Sequence, residues 1–425
     1  MSFRFLHLAD LHLESNFGGR RNETRERLRQ ATHEAFERAV EHAIANDLHA
    51  VLAAGDLFDE PILSPRTELF LLRQVRRLAD AGCWFLACAG NHDPGGERNR
   101  MASLGLEGAE RIHIFRSPVP EVVEVTDRSG APVGLVVGAG HGSAAEAENL
   151  AATFPEPKTH LPLVGLLHTQ VESAQRAAEH ERYAPSTPAD FRRSGYSYWA
   201  LGHVHVRQQA VEMLPVHYAG NLQGRHLKET GPKGGLVVDA RAGSFAEPSF
   251  VRFAPVRWER VVADDLERFD TLEGLAGHLA ELVVELQAGE TDELIAHIDL
   301  SGPSALAATL RDEGEREELE DELRESTGAL EVRLEAVGVG APIDRESLRE
   351  SRTVVARAMG LLDQVRDDEK LLEEIAPELL AADESWSQLA PEERRQVRMD
   401  YLRGLLDGLE QDLLDHALQD GDVEA

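Results

Sequence analysis

The chain has 425 residues, 42% of them hydrophobic and 28% charged, enough for two or three domains with a sizeable core. Its net charge of −32 excludes a uniformly basic nucleic-acid-coating protein. No uninterrupted apolar run is long enough to span a membrane, and the two cysteines, Cys83 and Cys88, lack the spacing of a thiolate metal site or redox motif. The acidity is uneven. Residues 1–257 hold 28 Lys+Arg and 31 Asp+Glu, a net of −3, whereas residues 258–425 hold 16 and 45, a net of −29. The near-neutral first part leaves room for a basic patch facing a polyanion. Reduced core cysteines and an N-terminus that enters a strand without a signal peptide give a cytoplasmic expectation.

In chain order, Phe3–Ala9 reads as a strand ending at Asp10-Leu11-His12. Thr24–Asn46 has apolar residues at helical spacing, and His49–Ala54 is a strand ending at Gly55-Asp56. Thr67–Ala81 is helical, and Cys83–Ala89 is a strand ending at Gly90-Asn91-His92-Asp93. Val133–Val137 and Leu163–Leu167 are short apolar runs, the second ending at His168, and Tyr198–Leu201 leads into Gly202-His203-Val204-His205. Alternating strands and helices predict an α/β first part, and ligands of such folds gather beyond the carboxyl ends of strands. From residue 258, helix candidates Leu272–Leu286 and Leu306–Arg324 alternate with strand-like Glu293–Leu300 and Ala329–Ala336, a small α+β unit. Gly338–Pro342 reads as a linker or turn. The remainder reads as helical, ending in a helix from Pro391 to about Leu418 with a leucine-rich stripe.

Five short motifs carry oxygen and imidazole donors, a set suited to two hard or borderline divalent ions. Asp10 and His12 stand two apart at a strand end, where extended backbone turns i and i+2 to one side, and His203 and His205 repeat the spacing. Gly55 permits a sharp turn before Asp56, whose two oxygens can bridge both ions. Asn91 offers a carbonyl oxygen and His168 another nitrogen. Two ions about 4 Å apart can activate a water and hold the oxygens of an in-line displacement. His92 is assigned a different task, giving a proton to the leaving oxygen or stabilising charge on the phosphorane, with Asp93 placed to orient its ring. A single histidine of this kind is ordinarily structural; five motifs in this order, at strand ends, point to metal.

The five motifs resemble those of the calcineurin-like metallophosphoesterases. Leu8–Leu13, Ala54–Asp59, Gly90–Asp93 and Ala200–His205 are similar to the bacterial SbcD-type DNA repair exonucleases, and Tyr218–His226 with Glu229, Gly231 and Lys233-Gly234 resembles their YhaO-like branch. The resemblance covers residues 1–257 well, 258–338 loosely and the tail poorly. It implies a two-sheet β sandwich flanked by helices (1–257), a small α+β capping domain (258–338) and an acidic helical tail (339–425). It implies Mn²⁺ at two sites, one held by Asp10, His12, Asp56 and His205 and the other by Asp56, Asn91, His168 and His203, with His92 as the catalytic histidine. One departure is Asp59, where archaeal and eukaryotic double-strand-break nucleases of the superfamily carry histidine. The resemblance also implies DNA as substrate and an SMC-like ATPase of the SbcC type (YhaN in this branch) docking on the helical tail; a homodimer is a further expectation. Arg20, Arg21, Arg225, Lys228 and Lys233 are candidate phosphate contacts. Two alternatives stand beside the repair exonuclease: a phosphodiesterase or phosphatase for small molecules or phosphoproteins, and a catalytically silent scaffold for the ATPase.

Overall fold

The alternation of apolar side chains in the first strand sets the architecture. In β1 (Ser2–Leu8), Phe3 and Phe5 point to one face and Leu6 and Leu8 to the other, and each pair enters a different core. The computed structural model describes residues 2–59, 64–96, 109–156, 158–174, 183–244, 246–340 and 353–368, with 342, 348, 370–372, 399, 402–403, 405–406, 409–410 and 413 beyond them. The chain divides into two compact units. One comprises residues 1–260, 285–297 and 329–331; the other comprises 261–284, 298–328 and 332–425.

The first unit continues with α1 (Asn22–Ala45), β2 (Ala50–Ala54), α2 (Pro65–Asp80), β3 (Trp84–Cys88), β4 (Ile112–Phe115), β5 (Glu121–Thr126) and β6 (Pro132–Ala139). Then come β7 (Leu163–His168), α3 (Pro188–Ser194), β8 (Tyr198–Gly202), β9 (Gln208–Gln209), β10 (Val216–Tyr218), β11 (Gly234–Arg241), β12 (Ser249–Arg252) and β13 (Val256–Ala263), inside which the unit's main segment ends. One sheet has order β12-β11-β1-β2-β3-β4 and the other β5-β6-β7-β8-β10-β9. Strands β1 to β4 run parallel to one another, as do β6, β7, β8 and β10. Phe3, Phe5, Leu52 and Leu86 of the first sheet meet Val136, Val164, Leu166 and Tyr198 of the second in the sandwich core. Leu6, Leu8, Val51 and Phe85 pack outward on Ala35 and Phe36 of α1 and Leu71 and Val75 of α2. On the outer face of the second sheet, Trp199 and Leu201 pack with Phe154 and Phe191. His7 crosses between the sheets, pairing with Tyr198 Oη (3.1 Å) and Leu201 O (3.1 Å).

This is the expected α/β sandwich flanked by helices. The edge strands β4, β5, β9 and β12 and the antiparallel β11, which pairs with β1 over more than 200 residues of sequence, were not expected.

Further along lie α4 (Leu272–Gln287), β14 (Glu293–Pro303), α5 (Ala307–Arg311), α6 (Glu313–Thr327), β15 (Glu331–Gly340) and α7 (Val354–Asp367); β13, β14 and β15 form a three-stranded sheet. Two expectations are corrected. The helix expected over 306–324 is broken at Asp312, whose carboxylate caps α6 by accepting the Glu315 N–H at 3.1 Å. Gly338–Gly340 are not a linker but the end of β15, where Gly340 O accepts the Ser304 N–H at 2.7 Å. The final helix from Pro391 lies largely outside the described residues. Of its stripe, Leu402 and Leu406 are buried with Leu372 and Met399 against Leu362 and Val365, whereas Leu405 and Leu409 are exposed. No helix among the described residues is long and apolar enough to cross a membrane.

Candidate metal centre

The two sheets meet at the carboxyl ends of their parallel strands. Gly202, at the end of β8, lies against the Ala54 carbonyl at the end of β2, and a Cβ there would overlap that oxygen. His168, the last residue of β7, donates from Nδ1 to the same carbonyl at 2.9 Å. Gly55, at φ +82°, turns the chain directly beneath the His168 ring.

The loops leaving these strands are strained. Asp10 (φ 50°), His12 (φ 46°), Asp56 (φ 50°) and His203 (φ 107°) all hold positive φ, at about 1–3 kcal/mol each. Asp10 and His12 thus face one site through left-handed backbone beyond the end of β1, not through the strand pleat expected from their spacing. Backbone N–H groups stabilise the arrangement, His92 donating to Asp56 Oδ1 at 2.9 Å and His203 to Asp10 Oδ1 at 3.1 Å.

Asp10, His12 and His205 bring one donor atom each within 4.8 Å of one another, as do Asp10, Asp56 and His168, and His12, Asp56 and His92. Asp56 Oδ2 is central, 3.8 Å from His12 Nε2 and 3.4 Å from His168 Nε2. Asn91 Oδ1 lies 2.9 Å from His168 Nε2 and 3.3 Å from His203 Nδ1. All seven expected ligands therefore converge.

Tautomers decide what this cluster can bind. His12 Nδ1 lies 2.9 Å from Asp59 Oδ1, and His205 Nδ1 lies 2.6 Å from Glu229 Oε1. Each Nδ1 carries the proton it donates, so each Nε2 presents a bare lone pair. Those two Nε2 atoms face each other at 3.2 Å, close enough to share one cation. Burial lowers the His12 pKa to about 3, with the Arg225 charge acting in the same direction, so that ring is neutral as a ligand must be. Burial raises Asp10 to about 7. It acts the same way on Asp56, but the nearby His168, His12 and His92 and the His92 N–H outweigh it and hold that carboxyl well below the usual range. The donors fit a pair of divalent cations.

Residues 3–207 match the family model described as calcineurin-like phosphoesterase. They form a calcineurin-like phosphoesterase domain. The chain is similar to the metallophosphoesterase YhaO of Bacillus subtilis, 36% identical over 269 residues that cover 62% of this chain and 63% of that one. It is similar to the DNA double-strand break repair protein Mre11 of Aeropyrum pernix, 31% identical over 248 residues (56% and 58%), and to a component of the SbcCD nuclease of Escherichia coli, 34% identical over 91 residues (21% of each). The chain spans less than two thirds of the length of each of these relatives.

In the phosphoesterase domain, His92 is exposed, and its Nδ1 lies 3.2 Å from the Asp59 carbonyl and 3.4 Å from Asp59 Oδ1. The carboxylate beside its ring is therefore Asp59, whereas Asp93 accepts the backbone N–H groups of Gly90 and Leu57, each at 2.7 Å, and ties two motif loops together. Burial, with the Asp56 charge adding to it, raises Asp93 to about 7. Arg225 reaches the centre, donating from Nη1 to Asp59 Oδ1 at 2.9 Å while its N–H meets Glu229 Oε2 at 2.6 Å. Lys233 donates to the His205 carbonyl at 3.1 Å. Arg20 pairs with Glu331 and lies over the Trp258 ring at 4.8 Å, and Arg21 and Lys228 are exposed. Sequence reasoning did not assign roles to Asp59 or Glu229. A second carboxylate close after Gly55-Asp56 was a usable signal for Asp59; Glu229 belongs to the segment that resembles the YhaO-like branch, but at 24 residues from His205 nothing in the sequence announces their contact.

Proposed function

We propose that the phosphoesterase domain hydrolyses phosphodiester bonds in DNA, as a Mn²⁺-dependent exonuclease of DNA repair acting with an SbcC-like ATPase in the cytoplasm. The observation that carries the chemistry is the pair of His12 and His205 Nε2 atoms facing each other at 3.2 Å, set beside the central Asp56 carboxylate. In this reading Asp10, His12, Asp56 and His205 hold one ion, and Asp56, Asn91, His168 and His203 the other. When bound, the ions supply a nucleophilic water and neutralise charge on the phosphoryl oxygens. The protein's own part begins with His92. Its Nδ1 is held against Asp59, which leaves Nε2 to pass a proton to the leaving oxygen. Asp59 and Glu229 keep the His12 and His205 rings in the ligating tautomer.

DNA as the substrate is supported by the similarity to a DNA double-strand break repair protein and to the SbcCD nuclease. One panel tests the reading: wild type and His92→Ala, with Mn²⁺, on linear duplex DNA, single-stranded DNA, cyclic nucleotides and a chromogenic phosphodiester. DNA cleavage falling about 10²- to 10⁴-fold in His92→Ala is expected. Turnover of cyclic nucleotides without any of DNA would move the assignment to a small-molecule phosphodiesterase, and no turnover at all would favour the scaffold.

A further inference from the structure

Beside the metal centre, a pocket of about 310 Å³ opens in the first unit. His205 forms part of its wall, so the pocket adjoins the first ion site. Its other walls come from three stretches: Val206 and Arg207 after the last motif, Ala219–Asn221, and Lys228, Thr230 and Pro232–Gly234, with Phe250 closing it. Arg207, Lys228 and Lys233 line it, and the buried Glu229 carboxylate sits behind the wall, on His205 Nδ1 and Asn221 Nδ2. In a part of the chain whose net charge is −3, a cavity lined by three cations is a local concentration of positive charge. Two of the cations are held in place. The Arg207 guanidinium lies over the Phe250 ring with Cζ 3.7 Å from its centroid, which fixes the planar fork. Lys233 is buried and donates to the His205 carbonyl at 3.1 Å. Lys228 is exposed at the mouth. The volume is at the low end of ligand sites and suits a phosphate with part of its sugar.

We propose that this pocket is a second anion site, which seats a phosphate group one step along the substrate from the one under attack. It rests on the nuclease reading and adds to it a grip on the strand that the metal cluster does not supply. Arg207 provides the planar, bidentate contact and Lys228 a point charge. The phosphate can come from a nucleic-acid strand or from a free phosphate ion, and the two are separable.

The test uses full-length, metal-free protein, so that binding is read without turnover. Wild type, Arg207→Glu, Lys228→Glu and Arg207→Lys are titrated calorimetrically with a 5′-phosphorylated single-stranded oligonucleotide and, separately, with inorganic phosphate, over a range of salt. Both charge reversals sit on exposed side chains, and a melting curve checks their folding. Oligonucleotide affinity falling about tenfold in each reversal, with a salt slope shallower by about one, is expected, whereas Arg207→Lys keeps the salt slope and loses only part of the affinity. Weakening of the oligonucleotide alone identifies a strand phosphate; weakening of both ligands identifies phosphate at large. Affinities within twofold of wild type for both ligands, with unchanged salt slopes, overturn the proposal. Wild-type turnover of the chromogenic phosphodiester with Mn²⁺ is measured alongside, so that loss of the nuclease reading is told apart from loss of the pocket.

Discussion

At the scale of single residues, the centre depends on groups that need not touch an ion. Asp59 and Glu229 each accept a hydrogen bond from an imidazole Nδ1–H, and Arg225 lies between them, donating to Asp59 Oδ1 and by its backbone to Glu229. Burial would push both carboxyls up. In Asp59 the His12 hydrogen bond and the Arg225 charge hold the group well below its usual range, and in Glu229 the His205 hydrogen bond and the Arg225 charge do the same. Glu229→Gln is expected to weaken Mn²⁺ binding about 10- to 100-fold in calorimetry with little change in melting temperature of the metal-free protein, because it removes the anion that fixes the His205 tautomer. Unchanged Mn²⁺ affinity would make Glu229 a structural residue only. His7 gives a pH prediction away from the centre. Burial lowers its pKa to about 3, against the Leu201 carbonyl contact, so the folded chain keeps the ring neutral while the unfolded chain protonates it below about 6.5. Its contribution is complete above that pH and is lost as pH falls, by about 1.4 kcal/mol per unit down to about 3. Denaturant titrations from pH 7 to 4 should show this slope, and His7→Asn should be flatter by that amount.

At the scale of elements, glycines set how closely the strands and their partners approach. A Cβ on Gly165 of β7 would overlap the ring of Trp199 on β8, a residue 1% exposed. The ring is packed between Phe154, Phe191 and Tyr196 and has nowhere to retreat. Gly165→Ala is expected to cost about 1–3 kcal/mol of stability, read from the shift in urea midpoint; a shift near zero would mean the sheet relaxes there. The strand ends that present the motifs were legible in the sequence because apolar runs such as His49–Ala54 and Leu163–Leu167 stop where polar donors begin. The backbone strain at Asp10, His12, Asp56 and His203 was not, since a left-handed φ at a non-glycine residue is imposed by surrounding contacts and leaves no mark in composition.

At the scale of the whole molecule, charge and apolar surface separate two tasks. The near-neutral first part carries the metal centre and the cationic pocket, and the strongly acidic remainder is unsuited to lie along a phosphate backbone. Within the second unit, Leu402 and Leu406 are spent on packing with Leu372 and Met399, which leaves Leu405 and Leu409 exposed. If the tail docks an SbcC-like ATPase, Leu405→Glu with Leu409→Glu should abolish co-purification of the two proteins while the isolated chain keeps its melting temperature. Undiminished co-purification would remove this face from the interface.

The sequence by itself determined the α/β character, the order of the strands that carry motifs, and seven donor residues, because hydrophobic periodicity and donor chemistry are local properties. Tertiary structure alone decided how those donors are used. The pairing of β1 with β11, the crossing of His168 onto Ala54 and the placing of Asp59, Arg225 and Glu229 around two imidazoles join residues tens to hundreds of positions apart. Such contacts form where two sheets close on one another, and a chain's own periodicity carries no record of which distant carboxylate will meet which ring.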